Sequence, residues 1–263
     1  MCGESIRPGA GAGEHRPGTL RVVGLGPGAA SHRTPAALTA LEESEVVVGY
    51  AAYLDAVREH LVGKELVRSG MKGELQRVHQ ALDLAMSGRE VALVSSGDAG
   101  VYGMAGLALE IAEAKGLDCP IVIVPGMTAA QAAAAALGAP LMLDWAVVSL
   151  SDLMVPWDRI CQKLSGIAAG DLCCVLYNPR SKGRPDLLRQ ALGLLSAGRP
   201  GSIPVAAVRE AGSPEQRIVR GTLADFPVGE VDMKTLVVVG DSTTRWSERG
   251  MITPRGYVEK YGA

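Results

Sequence analysis

The sequence predicts an α/β protein built from two consecutive α/β units, and three observations support this fold class. Short apolar runs rich in β-branched residues alternate with segments whose apolar residues recur at helical spacing. Hydrophobic residues form 48% of the 263-residue chain and are mostly Ala, Val and Leu, a composition typical of parallel strands covered by helices. The alternation restarts near Pro140, which predicts domains at residues 19–140 and 141–263.

The first unit is predicted to be a parallel sheet whose loops gather at the carboxyl ends of its strands. Residues 1–18 are polar and rich in glycine and proline, so we expect a disordered leader there. Thr34 followed by Pro35 predicts a helix start, because threonine caps helices and proline favours the first helical position. The predicted strands are 20–23, 45–48, 91–95 and 121–124, and the predicted helices are 35–43, 75–86, 104–115 and 129–137.

The second unit is predicted to contain strands of mixed direction. Its strands are expected at 146–150, 172–177, 205–208, 217–219 and 236–239, and its helices at 157–164 and 185–195.

Charge and composition argue against several function classes. The formal net charge of −2 gives no field that would attract nucleic acid or an anionic membrane. No apolar run is long enough for a membrane helix and no signal-peptide core is present, so we expect a cytoplasmic protein. The cysteines show no CxxC spacing and the histidines are scattered, so we expect neither a metal site nor a disulfide framework.

The loop at residues 23–28 (VGLGPG) is similar to a dinucleotide-binding turn, but two features argue against a nicotinamide cofactor. Pro27 has no N–H to offer a pyrophosphate. The next strand leads to Gly49 and Tyr50, with no carboxylate to bind a ribose. A simple strand-to-helix turn remains the structural alternative.

Two further loops are candidates for ligand binding. In residues 96–102 (SGDAGVY), small residues allow close approach to the backbone, and Asp98 either accepts hydrogen bonds from a ligand or caps the following helix. Residues 125–129 (PGMTA) follow another strand, where open α/β sheets bind ligands, although Thr128 taken by itself favours a helix cap.

The order of these loops resembles the tetrapyrrole methylases, the class III methyltransferases, over nearly all of residues 20–257. Three more strings resemble the family members that act on a corrin precursor: 149–153 (SLSDL), 176–181 (LYNPRS) and 252–257 (ITPRGY). The resemblance implies two α/β domains, S-adenosyl-methionine in the cleft between them, and a homodimer. The donor contacts that it implies are Gly97, Asp98, Ala99, Val101, Tyr102, Thr128, Ala129, Tyr177, Asn178, Ala211 and Thr235.

The activity implied by this resemblance is methylation of precorrin-3B at carbon 17 with contraction of the ring at carbon 20, in cobalamin biosynthesis. Methyl transfer requires alignment of donor and acceptor, whereas contraction requires a base, for which Asp98 and Glu210 are the candidates. Glu210 stands where family members more often carry Asn. Pro27 is expected to face the tetrapyrrole, and three arginines are candidates to bind its carboxylates: Arg180, Arg245 and Arg255.

Other functions remain open from the sequence. Within the family, the chain could methylate another ring position, as on precorrin-4, or act on uroporphyrinogen III. A nicotinamide-dependent oxidoreductase and a non-catalytic tetrapyrrole-binding protein are the alternatives from other classes.

Overall fold

A computed structural model describes residues 16–181 and 183–262 and contains two five-stranded sheets. Most of the predicted leader, residues 1–15, lies outside the described residues. At its end the Gly18 N–H donates to the Ala85 carbonyl at 2.9 Å.

The first sheet consists of β1 (Leu20–Gly24), β2 (Val46–Tyr50), β3 (Glu65–Ser69), β4 (Val91–Ser95) and β5 (Ile121–Val124). All its strands are parallel, in the order β3-β2-β4-β1-β5. One face packs on α1 (Pro35–Glu43) and α2 (Ala51–Ala56), and the other on α3 (Glu74–Met86) and α4 (Ala105–Lys115). Because the strands run the same way, the loops after β1, β4 and β5 lie side by side at one edge.

The rest of the chain adds helix α5 (Ala129–Leu137) and a second, mixed sheet, as predicted. Strands β7 (Trp145–Ser149), β8 (Cys173–Tyr177), β9 (Pro204–Arg209), β10 (Arg217–Thr222) and β11 (Thr235–Val239) follow β6 (Gly138–Ala139). Their order is β10-β9-β11-β8-β7, and only β7 and β8 pair in parallel. Helices α6 (Trp157–Ala169) and α7 (Leu187–Leu195) cover one face of this sheet.

Helix α5 packs against the other face of the second sheet, although it follows the last strand of the first sheet. Ala130, Ala133 and Leu137 are buried against Val175 and Val238 of that sheet. The helix is therefore a covalent and packed link between the two units. The predicted division of the chain at residue 140 stays a prediction.

Several elements were not predicted from the sequence. Strand β3 is an edge strand whose residues are partly exposed, so it lacks the apolar run that marks the buried strands. A small sheet joins β6 to β12 (Arg245–Ser247) and β13 (Gly250–Ile252), and α8 (Tyr257–Tyr261) follows it. Such short segments are held by partners distant in sequence, which no local pattern reveals. Among the described residues, no helix is both long and apolar enough to cross a membrane.

Candidate active site

The loops after β1, β4 and β5 meet through glycine backbone contacts. Gly26 and Gly97 exchange two backbone hydrogen bonds, at 2.8 and 3.0 Å. A Cβ atom on Gly24 would lie 2.7 Å from the Gly97 oxygen and 2.8 Å from the Gly126 nitrogen, closer than side chains tolerate. Gly97 has φ +65°, and a Cβ atom there would meet no atom within 4 Å, so this glycine leaves open space beside the junction.

Asp98 joins the β4 loop to the β5 loop. Its Oδ1 accepts hydrogen bonds from the N–H groups of Gly100 (2.8 Å) and Val101 (3.0 Å), and its Oδ2 accepts from that of Gly126 (2.9 Å). The alternative that Asp98 caps the next helix is wrong, because α4 begins at Ala105 and its N-cap side chain makes no capping bond. Asp98 is therefore a brace between two loops of the site.

Thr128 begins helix α5, and its interpretation as an N-cap is confirmed. Its hydroxyl accepts from the Gln131 N–H at 3.2 Å, while the Gln131 side chain accepts from the Thr128 N–H at 3.1 Å. This reciprocal pair satisfies two N–H groups that a helix start leaves free, so Thr128 and Ala129 are fixed at the carboxyl edge of the sheet.

Two tyrosines reach across between the units. The hydroxyl of Tyr102, in the β4 loop, accepts from the Ser149 N–H at 2.9 Å on the free edge of β7. The hydroxyl of Tyr177, at the end of β8, accepts from the Ala130 N–H at 3.1 Å. Their ring centroids lie 5.2 Å apart, and burial raises the pKa of both phenols. The pair therefore fastens the two units beside the glycine junction.

Of the remaining predicted donor contacts of the second unit, Asn178 and Ala211 follow strands β8 and β9, and Thr235 begins β11. Asn178 has φ +51°, a conformation that asparagine tolerates better than most residues, and its amide donates to the Ser149 hydroxyl at 2.9 Å. Ala211 is 6% exposed. Thr235 is 3% exposed, and its hydroxyl donates to Asp232 at 2.8 Å. Of Ala211 and Thr235, only Ala211 lies in a loop that contacts the first unit.

That contact is made by the loop containing Pro27. The Ala29 N–H donates to the Gly212 carbonyl at 2.9 Å, so the first strand-end loop touches the loop after β9. A Cβ atom on Gly212 would lie 2.7 Å from His32 Nδ1 and 3.2 Å from the Pro27 ring. Pro27 is therefore at the boundary between the units, and its contact with the tetrapyrrole stays a prediction.

Glu210, the second candidate base, lies in a cluster of charges. Lys234 Nζ lies 2.5 Å from its Oε1 and Arg209 Nη1 lies 3.1 Å from its Oε2. The hydrogen bond from Lys234 lowers the pKa of the Glu210 carboxyl. A carboxylate held by two cations is a weaker base than a free one.

A match to a family model covers residues 19–227 and has the description "Tetrapyrrole (Corrin/Porphyrin) Methylases". The chain belongs to the tetrapyrrole methylase family. The match begins just before β1 and ends in the turn after β10, so it includes the first sheet, four of the five strands of the second sheet, the three loops and both tyrosines.

Two relatives of this methylase are similar to it over almost their whole length. The probable cobalt-factor III C(17)-methyltransferase of Salmonella typhimurium is 44% identical over 238 residues, which cover 90% of this chain and 99% of that protein. A precorrin-3B C(17)-methyltransferase from a Sinorhizobium species is 40% identical over 249 residues, which cover 91% of this chain and 97% of that protein.

Solved structures confirm the predicted α/β fold class. The methyltransferase CobJ superposes with a TM-score of 0.85 at 38% identity, covering 90% of this chain and all of that one. A uroporphyrin-III C-methyltransferase from Thermus thermophilus, complexed with S-adenyl homocysteine, gives a TM-score of 0.66 at 25% identity. The match covers 86% of this chain and 98% of that one.

In this methylase the three predicted substrate arginines do not lie together. Arg180 follows β8 at the carboxyl edge, where its Nη1 donates to the Val228 and Gly229 carbonyls at 3.2 and 3.0 Å. Arg245 and Arg255 lie in and beyond the small sheet. That sheet sits at the opposite end of β8, since the hydroxyl of Thr253, which follows β13, donates to the Pro140 carbonyl beside Cys173. The structure thus brings only Arg180 to the candidate site.

The structure adds residues that the sequence did not indicate. A cavity of about 290 Å³ opens beside Tyr102 and Ser149 and is also lined by Met154, Val155 and Lys163. Of these five residues only Tyr102 was predicted to belong to the site. The visible signal was the string 149–153, which marked the segment without assigning a role to it.

Proposed function

We propose that this methylase transfers a methyl group from S-adenosyl-methionine to carbon 17 of precorrin-3B, or of its cobalt-carrying counterpart, and contracts the macrocycle. The observation that carries the proposal is the identity of 44% and 40%, over nine tenths of the chain, to proteins named as C(17)-methyltransferases. The similarity extends over both units, so it includes both walls of the cleft.

The glycine junction fits the methyl donor. The open space at Gly97 allows a ligand to approach the backbone closely. A relative with the same fold is complexed with S-adenyl homocysteine, which supports a donor site in this chain. The residues proposed to hold the donor are Gly97, Asp98, Ala99, Val101, Tyr102, Thr128 and Ala129 of the first unit and Tyr177, Asn178, Ala211 and Thr235 of the second.

The donor supplies a methyl group on a positive sulfur, and the protein's task is alignment. The hydrogen bond from the Ser149 N–H to the Tyr102 hydroxyl fixes one unit against the other, so a donor and a substrate bound between the units keep a fixed relative position. Holding two reactants in line replaces an encounter in solution and supplies several kcal/mol of the barrier reduction.

The geometry argues against both candidate bases for ring contraction. Backbone N–H groups occupy both Asp98 oxygens, and two cations hold Glu210. We expect that Asp98→Asn and Glu210→Gln, if folded, still contract the ring. A variant that methylates without contracting would instead locate the base at that residue.

The reaction itself is tested with labelled substrates. Purified protein is incubated with methyl-labelled donor and either precorrin-3B or cobalt-factor III, each labelled at carbon 20. We expect the donor label at carbon 17 and the carbon-20 label outside the macrocycle, in an acetyl group, by carbon NMR. A methyl at another position would favour a different member of the family, such as a precorrin-4 or uroporphyrinogen-III enzyme. Turnover of the two substrates compared at equal concentration shows which form the enzyme uses.

Two expectations of the sequence stay predictions. A homodimer would appear in light scattering as twice the chain mass of 27.3 kDa. Cytoplasmic location is tested by cell fractionation.

A further inference from the structure

The cavity beside β7 continues from the candidate donor site. Strand β7 is the edge of the second sheet, and Tyr102 and Gly103 of the first unit bound the cavity on that side. Ser149 lines the cavity, and its hydroxyl accepts the hydrogen bond from Asn178 at 2.9 Å. A ligand in this cavity would therefore share its wall with the site proposed for the donor.

An exposed apolar segment borders the cavity on the other side. Leu153, Met154 and Val155 are 76%, 92% and 37% exposed. Consecutive exposed apolar residues are unfavourable in water and mark binding surfaces. The segment is held in place, because Arg184 Nη1 lies 2.5 Å from the carboxylate of Asp152. The segment is therefore an apolar surface in a defined position next to the cleft.

The charge at the cavity is positive. Lys163, on the exposed side of α6, lines it, and the other described lining residues carry no formal charge. A corrin precursor combines an apolar ring system with carboxylate side chains, so it complements an apolar segment beside a lysine. A volume of about 290 Å³ is at the lower limit of small-molecule sites, so it accommodates one part of the macrocycle.

We propose that this cavity receives one pyrrole-derived ring of the tetrapyrrole substrate. The ring contacts Met154 and Val155, and its carboxylate side chain pairs with Lys163. The inference rests on the proposed function and assigns the substrate, rather than the donor, to this subsite.

The test separates the two ligands with variants of exposed residues. We expect Lys163→Gln and Met154→Ser each to raise the KM for the tetrapyrrole by about tenfold, the size of one charge-assisted or buried apolar contact. Lys163→Arg should keep the wild-type KM, and Lys163→Glu should raise it further than Lys163→Gln. Donor affinity, measured by calorimetry without tetrapyrrole, should stay within about twofold of wild type for all four.

Matched controls change a lysine and an exposed apolar residue far from the cleft. Lys115→Gln is at the end of α4, and Val62→Ser replaces an apolar side chain that is 85% exposed before β3. Both should leave the KM unchanged. The inference is overturned if the Lys163 and Met154 variants behave like these controls, or if they weaken donor binding as much as tetrapyrrole binding. If wild-type protein methylates no tetrapyrrole at all, the proposed function fails instead.

Discussion

The two walls of the candidate cleft are built in different ways. In the first unit the wall is mainly backbone: Gly26 and Gly97 bond each other, Asp98 binds N–H groups, and Tyr102 is the side chain that reaches across. In the second unit the wall is side chains, with the Tyr177 hydroxyl and the Asn178 amide making the contacts. Where backbone meets backbone, as at Gly24 and Gly126, an added side-chain atom has no room, whereas a side-chain wall responds to single functional groups and to pH.

The largest loss of stability is expected where an added methyl group would collide with backbone atoms. A Cβ atom on Gly126 would press on the Gly97 oxygen and lie 2.6 Å from the Gly24 oxygen. We expect Gly126→Ala to lower the free energy of unfolding by about 3 kcal/mol, measured by denaturant titration, and to abolish donor binding. The control Gly193→Ala adds its methyl group in open space on α7 and should stabilise by about 0.5–1 kcal/mol. Equal stabilities would show that the junction is not tightly packed.

Asp98→Asn tests the brace between two of the loops. An amide has one oxygen, so it cannot accept from N–H groups on both sides. We expect a loss of about 1–3 kcal/mol in unfolding free energy, because at least one N–H loses its partner. Asp83→Asn, on the exposed face of α3, is the control and should change little. A neutral result at Asp98 would mean that the loops hold each other without it.

Tyr102→Phe tests a side chain that crosses between the units. The ring is kept, but the Ser149 N–H loses its acceptor, at a cost of about 1 kcal/mol. Tyr53→Phe is the control within the first unit. A double-mutant cycle of Tyr102→Leu and Tyr177→Leu, which removes both rings, should show an interaction energy, because the ring centroids lie 5.2 Å apart. Strict additivity would indicate that the two tyrosines act independently.

The smallest expected effect is on the pH dependence of stability, at the charge cluster around Glu210. Lys234 lowers the pKa of Glu210 in the folded protein, so this contact contributes stability above the unfolded carboxyl pKa of about 4.3. That contribution is lost as the pH falls through the lower, folded pKa. Lys234→Gln should therefore flatten the acid limb of the stability curve, and only slightly, because the cluster is exposed. If the dependence of stability on pH is unchanged in this variant, Lys234 is not the cause of the lowered Glu210 pKa.

Much of the site could be predicted because strand-end loops leave local signals. The small residues after β1, β4 and β5 and the cap at Thr128 are visible in the sequence, and the structure places them as expected. The role of Asp98 was not predictable, since its partner Gly126 is distant in sequence. The arginines also show that a sequence does not reveal which side chains lie together. The family resemblance indicated three arginines as substrate contacts, but the fold separates Arg245 and Arg255 from Arg180.

The sequence by itself determined the alternation of strands and helices, the two α/β units and the glycine loops, because periodicity and backbone requirements are local properties. Only the tertiary structure decided that α5 packs on the second sheet, that Tyr102 binds the edge of β7, and that Lys163 and Met154 border one cavity. Each of these depends on residues brought together from different elements. Their energies come from burial and hydrogen bonds that exist only once both units have folded.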